Sequence, residues 1–421
     1  MRRSVEAPRR GSRAFLRALT LLGLGMAQAA QAQTVEEDGR QNPSVLDLER
    51  PGYEPRKLKL GDVMLSPELD VGATYNSNIY AAHADRRDDL VTSIQPRVTI
   101  QKDEGRFQWL GELSADIRRY ASNSRENSES YGAAGTFKAL LSQTMAVSGT
   151  AGYRRAVENR ADPEVRQNPT LGPPLFDVLN GEIQFNYTGS RLGFSLKGEV
   201  EKYDFVSSLN DDRAFTSYRG TARLSYRLSP MLDGFVQAYV NQRDFRLREP
   251  ISGVSRDGRT IGGMAGVQIN PAGKLHGEIG AGVFHYKPES ALFRSFSGFA
   301  LQGSLVYSPR QRTALVLDLF SGDVATVRNG ASGRIDRSAR LTVQQEIRHN
   351  LIASAVLRYR QTRYRGIDSR LNTFTGGLDL EYLLNRHIAV ALTGEFAKRT
   401  GGTYPERFER SRAGITLRFR Y

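Results

Sequence analysis

The chain has 421 residues, with 59 Lys or Arg against 45 Asp or Glu, a formal net charge of +14, 41 Gly, 5 His, 1 Trp and 0 Cys. That composition excludes a disulfide scaffold, a thiolate metal site and a cysteine nucleophile, and the scattered His83, His276, His285, His349 and His387 form no metal-binding helix. Mean hydropathy is -0.46 and no apolar run after the N-terminus nears the ~20 residues of a spanning helix, so a helical membrane protein is excluded, whereas a membrane β-barrel, whose strands alternate apolar and polar residues, is not.

The chain opens on Arg2, Arg3, Arg9, Arg10, Arg13 and Arg17, then an apolar stretch from Ala18 to Ala27, then Ala30-Gln31-Ala32. Basic, apolar, small is the order of a secretory signal peptide, and the apolar core is too short to anchor the chain. Residues 1–32 are therefore expected to be cleaved. Six Arg and Glu6 leave with them, so +9 of the charge remains and no nucleic-acid partner is expected. Residues 33–60, polar and carrying Pro43, Pro51 and Pro55, read as a flexible periplasmic segment.

From about Leu69 to Tyr421 one pattern recurs, in segments of ten to fourteen residues with period-two alternation. Phe107, Trp109, Leu113 and Ile117 oppose Gln108, Glu112, Asp116 and Arg118. Leu192, Phe194, Leu196 and Val200 oppose Ser195, Lys197, Glu199 and Glu201. Ala222, Leu224, Tyr226 and Leu228 oppose Arg219, Thr221, Arg223 and Arg227. Phe374, Leu378, Leu380 and Tyr382 oppose Thr375, Asp379 and Glu381, and Ile415, Leu417, Phe419 and Tyr421 oppose Gly414, Thr416, Arg418 and Arg420. Eight short turns, near 103–105, 141–143, 189–191, 229–230, 270–271, 308–309, 348–350 and 384–386, carry turn residues. Between them lie nine longer loops, near 81–89, 121–127, 157–175, 205–213, 247–257, 288–294, 321–336, 365–370 and 399–406. The fold class is all-β: an antiparallel transmembrane β-barrel over 61–421, with about 18 strands, short periplasmic turns and longer extracellular loops. Soluble sandwiches, with strands of five or six residues, fit less well. Aromatics at strand ends (Tyr75, Phe107, Trp109, Tyr153, Tyr187, Tyr226, Tyr307, Tyr359, Tyr382, Phe419, Tyr421) suit the two interfacial girdles facing lipid and lipopolysaccharide.

At the start of the barrel, Leu60-Gly61-Asp62-Val63 leads into Tyr75, Asn76, Ser77, Asn78, Ile79 and Tyr80, with Asp88-Asp89-Leu90 and Pro96 on the next strand. This order resembles the outer-membrane β-barrel porin-like family of Gram-negative bacteria. The resemblance implies an outer-membrane channel and, for many members, association with exopolysaccharide biosynthesis and export clusters, hence polysaccharide export components as partners. The aromatic C-terminus at Tyr421 resembles the signal read by the barrel-assembly machinery.

On the polar face, Arg219, Arg223 and Arg227 form a ladder, with Arg243 on the neighbouring strand. Arg358 with Arg360, and Arg418 with Arg420, form two pairs, while Arg97, Arg154 and Arg340 stand alone. Such a ladder would favour phosphate, carboxylate or uronic-acid groups. Acidic residues share the face: Glu112, Asp116, Glu182, Glu199, Glu201, Glu278, Glu346, Asp379, Glu381 and Glu395. They pair with the Arg in one reading and form a separate negative wall in the other. Glu199 and Glu201 lie about 7 Å apart, but any alternating acids do, so no catalytic residue, cofactor or metal is assigned. The expectation is a channel for anionic solutes or one linked to exopolysaccharide export. Its alternative is a barrel plugged by its own loops that docks envelope machinery, and a barrel hydrolase or lipase comes third.

Overall fold

The computed structural model describes residues 45, 48, 50–166, 172–250, 252–270 and 273–421. The expected signal peptide, 1–32, lies outside them. A three-residue strand, β1 (Leu58–Leu60), precedes eighteen long ones. These are β2 (Val63–Asn76), β3 (Asp89–Asp103), β4 (Phe107–Tyr120), β5 (Ser128–Leu140), β6 (Met145–Val157) and β7 (Leu175–Thr188). Next come β8 (Leu192–Phe205), β9 (Phe215–Ser229), β10 (Leu232–Phe245), β11 (Gly258–Ile269), β12 (Leu275–Pro288) and β13 (Phe296–Arg310). The last six are β14 (Thr313–Val324), β15 (Gly333–Arg348), β16 (Leu351–Arg365), β17 (Arg370–Leu383), β18 (Ile388–Gly401) and β19 (Phe408–Arg420). Each pairs antiparallel with its chain neighbours, and β19 returns to β2 in register from Arg412↔Asn76 to Arg420↔Glu68. The barrel is closed, and no sheet edge is left to face hydrocarbon.

Period-two alternation turns the molecule inside out. Leu113, Leu192, Leu224, Val283, Leu378, Leu392 and Ile415 are exposed on the outer face, while alternate residues such as Arg223, Gln237, Glu346 and Arg410 are withdrawn inside. Tyr75, Tyr153, Tyr187, Tyr307, Tyr359, Tyr382 and Tyr421 are exposed as girdle positions require. Among the described residues the chain reverses between strands near the expected positions, but the loop expected near 321–336 is only 325–332, because β14 runs on to Val324 and β15 starts at Gly333. One turn moves: β13 runs through Ser308-Pro309, where the ladder with β14 is interrupted between Tyr307 and Arg310, and the chain reverses at 311–312. A prolyl residue has no N–H to give the ladder, and here it marks a bulge rather than the turn.

The Tyr75–Tyr80 string locks the outer end of the closure seam. Asn78 is fully buried. Its Nδ2 donates to the carbonyls of Ala82 (2.7 Å) and Glu409 (2.9 Å), and its Oδ1 accepts from the Ala82 N–H (3.0 Å). Ser77 N–H donates to Ser411 O, and Ser77 Oγ accepts from Ser411 N–H (2.9 Å). Tyr75 donates to Asp88 (3.0 Å), the Asn78 N–H donates to Asn76 Oδ1, and Ile79 and Tyr80 are buried. The string thus stitches the first loop to β19 across the seam. Pro96 sits on β3, where the ladder to β4 skips Gln95 and Pro96.

The segment expected to be a loose lead-in is docked where it is described. β1 forms a hairpin with β2 (Leu60↔Val63), and Lys57 donates to Gln101 on β3. Val45 and Arg50 are buried. Arg50 reaches the buried Glu346 on β15 (3.4 Å), and Tyr53 packs edge-on to His349. These contacts tie the segment to β15, β2 and β3 at the short-turn end of the barrel.

Two outcomes test this frame. Leu392→Arg, on the lipid face of β18, should cost about 2 kcal/mol in urea unfolding from bilayers. Thr393→Arg, one residue on and beside Asp379 on the inner face, should stay within about 0.5 kcal/mol. Asn78→Ala should cost about 2–3 kcal/mol, because it leaves buried backbone groups at the seam without partners. A loss below 0.5 kcal/mol would remove the seam role.

Candidate functional site

Eighteen strands enclose a bore too wide for the wall's own side chains to fill. Two chain segments enter it from opposite sides at the outer end. β14 parts from β13 after Ser321, and the tip of the β14–β15 hairpin leans inward as a tongue spanning 322–336. One face of the tongue packs on the inner wall. Ile335 joins Met264, Phe284 and Ala300, flanked by Tyr239 and Phe296, and Asp323 takes Arg243 (2.7 Å) and Thr260 (2.6 Å). Apolar side chains on the inner face of β10–β13 are thus a seat for the tongue. Their rings lie flat: a Cβ at Gly262 would collide with Tyr239, and one at Gly298 with Phe284. Glycine is needed at both positions for the wall to take an inward aromatic without blocking the bore.

The other face of the tongue receives the β6–β7 loop, which crosses from eight strands away. Glu164 is the junction. Its carboxylate accepts from Thr326 Oγ1 (3.0 Å), the Val327 N–H (2.9 Å), Arg334 (3.1 Å) and the Tyr364 hydroxyl (2.9 Å). Asp336, fully buried, holds Arg334 (2.8 Å) and Arg360 (2.5 Å). Arg399 donates to the carbonyl of Ala161, and Ala161 packs on Ala81, Ala397 and Phe408. Further pairs tie the loops together: Arg160–Glu126 (2.8 Å), Arg166–Asp212 (2.5 Å), Arg213–Glu158 and Arg328–Glu406 (2.5 Å). Arg160 also lies over the Tyr80 ring (5.5 Å), linking this network to the seam string.

Burial and hydrogen bonding act in opposite directions on two loop carboxyls, Glu158 and Glu406. Burial pushes Glu158 up despite the Arg213 fork. At Glu406 burial also pushes upward, but hydrogen bonds from Arg328 and Thr403 outweigh it and hold the carboxyl below its ordinary value.

The basic residues expected on the polar face are on the inner wall, and most are engaged. Arg219 faces Glu199 (3.9 Å) and stacks on Tyr239 (4.3 Å). Arg223 pairs with Glu278 (2.9 Å) over the Phe235 ring (3.7 Å). Arg227 faces Asp233 (3.6 Å), and Arg243 on β10 holds Asp323 of the tongue (2.7 Å). Arg418 meets Asp70 (3.3 Å) and Glu381 (3.2 Å), and Arg420 meets Glu381 (2.7 Å). Of the acidic candidates, Glu112 faces Arg97 (3.7 Å), Asp116 holds Arg118 (2.6 Å) and Glu201 accepts from the Tyr203 hydroxyl (2.7 Å). Asp379 lies on the same face two residues from Glu381. Acid and base meet across neighbouring strands at several points of the wall, with Glu199 opposite Arg219 and Glu395 holding Arg412.

Sequence reasoning missed the tongue, Glu164 and the inward Arg399, Arg410 and Arg412. The three Arg share the parity of Glu395 and Arg418 and were open to the same reading. Glu164 carried no such signal, because loops have no period.

No curated protein matches the sequence. Among solved structures, the chain is similar to the outer membrane protein opdK from Pseudomonas aeruginosa, at 11% identity and a TM-score of 0.44, covering 85% of this chain and 99% of that one. It is similar to the siderophore receptor PirA from Pseudomonas aeruginosa at 10% identity and a TM-score of 0.44, covering 84% and 80%. The FrpB iron transporter from Neisseria meningitidis (F3-3 variant) gives 9% identity and a TM-score of 0.42, covering 80% of this chain; the chain spans 62% of that protein. A family model matches residues 50–421, the whole closed barrel together with its docked leading segment. The chain belongs to the family described as putative beta-barrel porin 2, porin-like barrels of the Gram-negative outer membrane.

Proposed function

We propose that this outer-membrane barrel is a gated channel for anionic solutes, closed at its outer mouth by the tongue and the β6–β7 loop. The observation that carries the reading is Glu164, a carboxylate from one wall satisfied by four donors on the tongue and the wall behind it. A latch made of hydrogen bonds from the β6–β7 loop to the tongue and to Tyr364 on β16 releases when that loop swings away, without breaking a strand pair. The barrel supplies the rigid frame, and the loops supply the motion. An excess of Arg inside favours anions, and the association with exopolysaccharide clusters implied by the sequence resemblance makes acidic saccharides one such class.

The closed mouth equally favours a second reading: a permanently plugged barrel that serves as a docking partner for envelope machinery. Planar-bilayer conductance of the refolded barrel separates the two. The channel reading expects brief openings from the unaltered protein, a reversal potential set by the anion, and at least a fivefold rise in open probability for Glu164→Ala. Silence from both folded proteins would overturn it and leave the plugged barrel.

A further inference from the structure

Beneath the tongue, the outer half of the inner wall from β15 to β19 carries Arg340, Arg358, Arg360, Arg399, Arg410 and Arg412, with Arg418 and Arg420 of β19 lying further toward the short-turn end. The carboxylates beside them are Asp318, Asp336 and Glu395 on the wall and Asp162 from the loop above. Their arrangement follows from register. One row across the sheet reads Asp318, Arg340, Arg358, Thr375, Ala397, Arg410. The row above reads Ser338, Arg360, Thr373, Arg399.

The carboxylates are mostly committed elsewhere. Asp336 holds Arg334 and Arg360, and Glu395 is gripped by Arg412 and lies 3.9 Å from Arg410. Asp318 accepts from Ser304 (2.8 Å). Among the described residues Arg340 and Arg358 have no carboxylate within 4 Å, although they are directly paired across adjacent strands. The Nε atoms of Arg340 and Arg410 are buried and lack a hydrogen-bond partner. Like charges placed directly opposite on a sheet repel, and withdrawn charges are costly unless compensated.

The residues between the Arg are short. Thr375 and Ala397 separate Arg358 from Arg410 across three strand spacings, about 14 Å, and Thr373 separates Arg360 from Arg399 in the row above. Guanidinium groups therefore flank a trough floored by hydroxyls and a methyl group. The trough has a roof: Arg399 donates to the carbonyl of Ala161, and Asp162 lies 3.9 Å from Arg360.

We propose that this trough is an oxyanion-binding site, taking a carboxylate or phosphate group of a lumenal solute between Arg340, Arg358 and Arg410. Planar guanidinium forks suit both groups. The proposal rests on the channel reading for how the solute arrives, but its binding can be measured without conduction.

The test is isothermal titration of the refolded full-length barrel at low ionic strength, with inorganic phosphate and D-glucuronate as separate probes and glucose as the neutral control. Saturable binding of either anion is expected. Binding of phosphate alone assigns a phosphoryl site, and binding of glucuronate alone a carboxylate site. The double variant Arg340→Gln/Arg358→Gln should bind at least tenfold more weakly, while Arg337→Gln on the outer face should bind as the unaltered protein does. Should the Gln pair fail to fold, Arg340→Lys/Arg358→Lys keeps the charge but loses the forks, and should bind severalfold more weakly. Absence of binding by the unaltered barrel, or equal binding by folded variants, overturns the site. Binding lost while conductance persists removes the site and leaves the channel; binding retained in a silent barrel does the reverse.

Discussion

Everything in this molecule follows from one constraint: a backbone N–H or C=O facing hydrocarbon must be hydrogen-bonded. It forces the sheet to close, and closure rests on the β2–β19 seam. The seam is fastened beyond its own ladder at both ends. At the outer end Ser77, Asn78 and Ser411 bind across it, and at the inner end the Tyr421 N–H donates to Pro67 O. Once the register is fixed, every side chain's face is fixed with it, because a one-residue slip would turn the whole apolar set inward.

Closure at eighteen strands creates a second problem, an empty bore. A small barrel fills its interior with wall side chains, and this one does not. It admits backbone instead: the tongue and the β6–β7 loop meet inside its outer end, and the segment before β2 docks at the other. Backbone and charge brought inside need partners. That explains why buried carboxylates such as Glu126, Asp212, Asp336 and Glu346 each meet an Arg. Such pairs add little net stability, because desolvation offsets attraction, but leaving one partner alone is costly. They therefore act to define one arrangement of the docked segments.

The inner wall divides accordingly. On β10–β13 aromatic rings lie against glycines and seat the tongue. On β14–β19 short residues alternate with Arg and leave space. The first region seats the tongue, and the second carries Arg340 and Arg358, paired across adjacent strands and, among the described residues, without a carboxylate within 4 Å.

How much of this was legible follows from where periodicity exists. Strand count, face assignment, girdles and the side of each turn were readable, because alternation such as Ile415, Leu417 and Phe419 against Thr416 and Arg418 is dictated locally by the pleat. The motif at Tyr75–Tyr80 could be recognised as a marker but not as a seam lock, since its partner Ser411 lies more than 300 residues away. Likewise the ladder Arg219, Arg223, Arg227 could be placed inside, but not its counter-ions Glu199, Glu278 and Asp233, which other strands bring. Sequence alone determined that this chain is a membrane barrel, because that depends on neighbours two residues apart. Only the tertiary structure decided that the tongue meets the β6–β7 loop and which Arg, among the described residues, lack a nearby carboxylate, because both depend on which strands closure places opposite one another.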